Sequence, residues 1–204
     1  MNWHTQQSKT PNALILVAHP DDETIFCAGI MLTYPKWNWH IVCMTGKTTN
    51  VRGKQFLNAV KKYEGLGVNI KKSYLLGFVD EVRYLKPTEK SSWSNAIKEL
   101  NLKPDVIFTH NTKGEYGHPY HIALNSIAYG IYTNIWEFLF IGGPYVITPP
   151  AQKEIRAVPL DHKLIKTKLN IFNTCYTSEL YLWKKEPKLL EAAFSSGIEL
   201  YTHI

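Results

Sequence analysis

Four short apolar runs, each closed off by polar or glycine residues, constrain this chain more than anything else in it. They are Ala13–Ala18, Trp39–Thr45, Ser73–Gly77 and the run that Pro104 opens and that continues from Val106 to Thr109. The first and last lack the strict polar–apolar alternation of a half-exposed strand, as expected of parallel strands buried on both faces. Helical stretches lie between the runs: Glu23 to Tyr34, broken near Pro35; Gln55 to Leu66, with Gly67 as its cap; and a short one at Asn95 to Leu100. Strands alternating with helices over short connections predict a single-domain, Rossmann-like three-layer α/β/α fold with a mostly parallel sheet. Right-handed crossovers would then gather the strand ends on one rim. Beyond residue 136 the pattern predicts strands at Trp136–Ile141 and Tyr145–Thr148 around Gly142-Gly143-Pro144, a loop at Pro149-Pro150, and a helix over Lys163–Phe172. One domain spanning 1–204 is expected, with residues 1–11 as a polar N-terminal extension. Val79 to Ser94, containing Trp93, reads as a long rim loop of the kind that sets substrate choice.

Two of the strands run directly into segments rich in titratable side chains. Ala18-His19-Pro20-Asp21-Asp22-Glu23 leaves the first strand just as a helix begins. Neighbouring carboxylates repel, so a pair set beside an imidazole points to a cation held there. A helix cap would explain one acidic residue, but not the second Asp, the His and the Pro together. The fourth strand runs through His110 into Asn111-Thr-Lys-Gly114-Glu-Tyr116-Gly117-His118-Pro119-Tyr120-His121. His118 and His121 lie three apart and share a face if Pro119 opens the next helix. His110, at the end of its strand, reads first as a histidine satisfied by the fold, with contact to this cluster as its other reading.

Charge and cysteine content exclude several function classes. The net charge of +6 is mostly lysine in scattered doublets, with arginine only at Arg52, Arg83 and Arg156, which is not the clustered basic face of a nucleic-acid binder. Cys27, Cys43 and Cys175 are odd in number and widely spaced, as buried thiols of a reducing compartment are. No segment reaches the roughly 18 apolar residues of a membrane span. A cytoplasmic protein is expected.

Read together, the two polar clusters resemble the PIG-L/LmbE-like deacetylase family. Its A-H-P-D-D-E motif stands intact at Ala18–Glu23, and its G-x-Y-G-H-P-D-H motif appears as Gly114-Glu-Tyr-Gly-His-Pro-Tyr-His121. Arg52 to Ala59, Leu66-Gly67-Val68 and Leu76-Gly77-Phe78 are similar to its connecting pattern, so the resemblance covers residues 13 to 130. Three positions depart from it. Tyr120 replaces an Asp, Gln55 replaces a Glu, and Lys168 is followed by Tyr176-Thr177-Ser178-Glu179 where a His-x-Ser-Gln-like element is usual.

The resemblance implies a zinc-dependent removal of acetyl groups from N-acetylglucosamine-type sugar conjugates, with a small-molecule substrate and neither nucleic acid nor membrane span. Under it, His19, Asp22 and His121 are the metal ligands, a set that leaves positions open for water and substrate. Zinc suits imidazole with carboxylate, and Fe2+ or Mn2+ could take the same set. Asp21, whose side chain points away from that of Asp22, is the candidate base. His118 is the candidate acid, with support of the metal ligands as its other reading. Tyr116 would stabilise the oxyanion or simply pack the loop. Arg52 and Asp80 are expected at the substrate, with a surface salt bridge as the alternative for each. Two other readings remain: a non-catalytic binder of sugars or nucleotide sugars, and a magnesium site, which two imidazoles disfavour.

Overall fold

In the computed structural model of the chain, residues 10–81, 83–139, 154–181, 185, 193–194 and 197–203 are described. Strand β1 (Asn12–Val17) shows why its sequence is apolar throughout. Ala13, Ile15 and Val17 pack into one core cluster, Leu14 and Leu16 into a second on the opposite face, and all five are fully buried. The chain continues through α1 (Asp22–Thr33), β2 (Asn38–Thr45), α2 (Val51–Gly65), β3 (Ile70–Phe78), α3 (Pro87–Glu99) and β4 (Val106–Thr109). A single turn, α4 (Gly114–Gly117), leads into α5 (Pro119–Tyr129), followed by β5 (Ile135–Leu139), β6 (Glu154–Pro159), α6 (His162–Cys175) and β7 (Ile198–His203).

The seven strands form one sheet in the order β3-β2-β1-β4-β5-β7-β6. Pairings from β3 to β5 are parallel, in keeping with the expected α/β class. Helices α1, α2 and α6 supply the core on one face, and α3 and α5 the core on the other. The order reverses between β1 and β4, so the crevice of a doubly wound sheet falls at their C-terminal ends.

Four expectations need correction. The third strand runs from Ile70 to Phe78, longer than Ser73–Gly77. The sheet also gains two antiparallel strands, β7 on β5 and β6 on β7. The rim loop ends at Lys86, because α3 starts at Pro87, a first-turn proline whose missing N–H costs a helix nothing. Glu89 then accepts the Lys86 N–H at 2.7 Å, closing the N-terminus. Trp93 is therefore no rim residue: it is 2% exposed and packs against Phe78 and Tyr120. The strand predicted at Trp136–Ile141 is β5 over its described residues, to Leu139; Phe140, Ile141, Tyr145–Thr148, Gly142-Gly143-Pro144 and Pro149-Pro150 lie outside the described residues. Among the described residues no helix is long and apolar enough to cross a membrane.

Candidate metal centre

The crevice between β1 and β4 is filled by histidines and carboxylates. His19 follows β1, His110 follows β4, and His121 sits in the first turns of α5. The turn after β1 is tied on every side. Asp22 Oδ2 accepts the His19 N–H at 2.8 Å, Thr45 Oγ1 donates to the Ala18 carbonyl at 2.9 Å, and Glu23 Oε2 accepts the Asp21 N–H at 3.2 Å. Asp21 itself is held at φ 122°, where a non-glycine residue persists only if its surroundings over-determine it. Its side chain makes no helix cap, so the capping explanation fails for this residue.

Three donor atoms form a nearly equilateral triangle. His19 Nδ1 lies 3.2 Å from His121 Nε2, and Asp22 Oδ2 lies 3.4 Å from each of them. A tetrahedral ion about 2.0–2.1 Å from its ligands separates them by about 3.3–3.4 Å. The three residues are also 4%, 2% and 0% exposed in chain order, so water does little to compensate the crowding. The donor set and its spacing thus fit a divalent cation with nitrogen and oxygen ligands. Two other triads share His121, with His19 and His118 or with Asp22 and His110. In these the extra imidazole already has one ring nitrogen engaged: His118 Nδ1 accepts the Tyr120 N–H at 3.2 Å, and His110 Nδ1 faces Glu115 at 2.9 Å.

Behind the triangle sits a carboxylate that sequence reasoning did not single out. Glu115, fully buried, faces His110 Nδ1 at 2.9 Å and His121 Nδ1 at 2.6 Å, and it accepts the Asn111 N–H at 2.8 Å. Burial alone would raise its pKa, but the two imidazoles hold it down to about 2. A carboxylate on Nδ1 keeps the proton there and leaves Nε2 of His121 to face the triangle. His110, read from sequence as satisfied by the fold, is fully buried between Glu115 and Asp22; burial opposes its charge, yet those carboxylates lift it to about 9. The signal for Glu115 was present: an acid inside a glycine-bounded loop within six residues of three histidines.

The remaining expected residues border the same crevice. Asp21 is 4% exposed, and burial pushes its carboxyl well up despite Arg52 at 3.7 Å. Arg52 also meets Asp80 at 2.8 Å, Glu179 at 3.1 Å and the Pro20 carbonyl at 3.3 Å. Arg52 and Asp80, both expected at the substrate, therefore pair with each other, and Asp80 Oδ1 also lies 3.4 Å from His19 Nε2. His118 lies edge-on to His19, ring centroids 4.5 Å apart, and burial together with its neighbouring imidazoles pushes it down to about 3. Tyr116 is edge-on to His121 at 5.4 Å and to His118 at 6.0 Å. Lys168 is elsewhere, buried in the core against Glu199 at 2.9 Å.

Comparisons with known proteins bear on the family and the fold. The sequence profile described as PIG-L, GlcNAc-PI de-N-acetylase, matches residues 14–132. The uncharacterized protein L374 of Acanthamoeba polyphaga mimivirus is 27% identical over 158 residues, covering 66% of this chain and 65% of that protein, just under two thirds of its length. Among solved structures, a deacetylase in the biosynthesis pathway of teicoplanin superposes with a TM-score of 0.68 at 12% identity, over 94% of this chain and 96% of its own. The N,N'-diacetylchitobiose deacetylase from Pyrococcus horikoshii gives 0.57 at 17% identity, over 93% and 83%. The fold is not confined to deacetylases: GalB, the 4-carboxy-2-hydroxymuconate hydratase from Pseudomonas putida, gives 0.59 at 13% identity, over 85% and 82%.

Proposed function

We propose, from the premise that this chain belongs to the PIG-L family of GlcNAc-PI de-N-acetylases, that it is a metal-dependent hydrolase removing the acetyl group from an N-acetylglucosamine-type sugar conjugate. The observation that carries the reading is the triangle of His19 Nδ1, Asp22 Oδ2 and His121 Nε2, spaced as ligands of one ion are. A zinc ion bound there, or Fe2+ or Mn2+, would supply Lewis acidity for the amide carbonyl and for water.

The chain's own residues would then divide the proton work. Water adds to the acetamide carbon while the buried Asp21, as its carboxylate, takes the proton. As the carbon–nitrogen bond breaks, the amine needs a proton. His118 would provide it from Nε2 as the imidazolium, which requires Nδ1 to release the Tyr120 N–H it accepts in this structure and take a proton instead. Tyr116, packed beside both histidines, would donate to the developing oxyanion. Arg52 and Asp80 would meet the sugar as a pre-formed pair.

Acetate release from a panel of N-acetylglucosamine conjugates tests the proposal. The activity should vanish on chelation, return with zinc, and be lost in Asp21→Asn while that variant still binds metal. A second reading, a sugar or nucleotide-sugar binder without turnover, draws on Tyr120. Where the family carries an Asp near the preceding histidine, this chain gives His118 only a backbone N–H. Tight sugar binding by metal-loaded protein, with no acetate from any conjugate, would favour that reading.

A further inference from the structure

Tyr120 is not idle in its family's acidic position. It is 1% exposed, and its ring lies parallel to His19 with centroids 5.8 Å apart and stands edge-on to Trp93 at 5.3 Å. Packing therefore fixes the ring before its hydroxyl is considered. That hydroxyl reaches the segment after β3, where it accepts the Glu81 N–H at 2.9 Å and donates to the Val79 carbonyl at 3.3 Å. These groups belong to the two peptide units on either side of the Asp80 Cα. One hydroxyl, using its single proton and a lone pair, thus restrains the backbone of Asp80 on both sides.

The segment needs such a restraint. Residues 79–81 belong to no helix or strand, and Val79 is 66% exposed. The Asp80–Arg52 pair has side chains 31% and 29% exposed, and an ion pair that water reaches is a weaker tether than a buried one. Yet Asp80 has a specific task, because its Oδ1 faces His19 Nε2 at 3.4 Å. That nitrogen is buried and makes no hydrogen bond among the described residues, so the Asp80 carboxylate facing it is the group placed to take its proton. If the proton of His19 stays on Nε2, the Nδ1 lone pair is left for the triangle with Asp22 and His121.

We propose that Tyr120 is a positioning residue: its hydroxyl latches the Asp80 segment so that the Asp80 carboxylate holds the His19 proton on Nε2 and turns Nδ1 to the metal centre. This rests on the reading that His19, Asp22 and His121 hold an ion. The site then has a matched pair of orienting carboxylates, Glu115 for His121 and Asp80 for His19. Glu115 is fixed by burial in the core, whereas Asp80 depends on a phenol from the neighbouring helix.

Tyr120→Phe keeps the packed ring and removes only the latch. In metal-free protein, nitrogen-15 NMR should place the His19 proton on Nε2 in the wild type and on a mixture of both nitrogens in Tyr120→Phe. The Glu81 amide should exchange faster in the variant. Competition against a chromophoric chelator would then measure zinc affinity for wild type, Tyr120→Phe, Asp80→Ala and the double variant. Each single change should weaken zinc about 10–100-fold, as loss of a group that orients a ligand does. The double variant should be no weaker than Asp80→Ala alone, since both act through one carboxylate. An unchanged His19 tautomer in Tyr120→Phe, or losses that multiply in the double variant, would overturn the latch. Acetate release is scored separately: its absence contradicts the deacetylase reading, while tautomer and zinc affinity decide the latch.

Discussion

Glu115 meets the Nδ1 atoms of two imidazoles at once, and its conformation shows how tightly that arrangement is specified. It sits at φ 57°, an unfavourable backbone region for a residue with a Cβ, directly after Gly114 at φ 66°. Glu115→Gln should therefore weaken zinc binding about 10–100-fold, read by chelator competition, with the fold retained by circular dichroism. His118→Gln separates roles differently. If His118 donates to the leaving amine, kcat should fall about 10²–10⁴-fold while zinc affinity stays within a few-fold of wild type. At this scale the two polar motifs were legible because their side chains leave strand ends and cannot all be caps or core. Glu115 and the His110 contacts were passed over, because nearness to three histidines is a weak sign in a residue whose type is ordinary for a loop or core. Two of the departures from the family pattern explain each other: Gln55 donates to Thr177 Oγ1 at 3.1 Å and accepts from Ser178 Oγ at 2.7 Å. A glutamate at 55 could not donate to Thr177, and both hydroxyls would have to donate to it instead.

Among the elements, α4 and its junction with α5 set the position of Glu115, Tyr116, His118 and His121. A Cβ at Gly114 would stand 2.9 Å from Ile122 Cγ1 and 3.3 Å from His121 Cβ, so the loop approaches α5 as closely as it does only because no side chain intervenes. Gly114→Ala should destabilise the protein by about 1–3 kcal/mol from backbone strain, measured by urea unfolding, and weaken zinc through displacement of His121. The helices and parallel strands were readable from alternating patterns and from Gly67, whose φ of 86° closes α2 as expected. The start of α3 was missed because Lys86-Pro87-Thr88-Glu89 reads first as a loop. Its helical meaning lies in Pro87 at the first position and in the Glu89 carboxylate that Arg83 and the Lys86 N–H both engage. The two antiparallel strands were missed for another reason. Glu154–Pro159 and Ile198–His203 mix polar and apolar residues, and they pair with each other from distant parts of the sequence.

For the molecule as a whole, the rim that holds the site depends on a core that is unusually polar at one point. Lys168 on α6 pairs with Glu199 on β7, and Glu199 also accepts the Gly29 and Ile30 N–H groups of α1 and the Tyr201 hydroxyl. One buried carboxylate thus joins three elements beneath α1, the helix that carries Asp22. Lys168→Met should cost about 3–5 kcal/mol of unfolding free energy, because it strands a buried charge without its counterion. Family resemblance had placed Lys168 in the C-terminal pattern, but only the topology reveals that its partner is a strand end. The same topology makes the central claim testable in one step: the reversal between β1 and β4 must bring His19, Asp22 and His121 around one ion. Anomalous diffraction at the zinc edge, from crystals of metal-loaded protein, should show one peak within about 2.0–2.1 Å of His19 Nδ1, Asp22 Oδ2 and His121 Nε2. A peak bound elsewhere, or none at saturating zinc, would contradict the account.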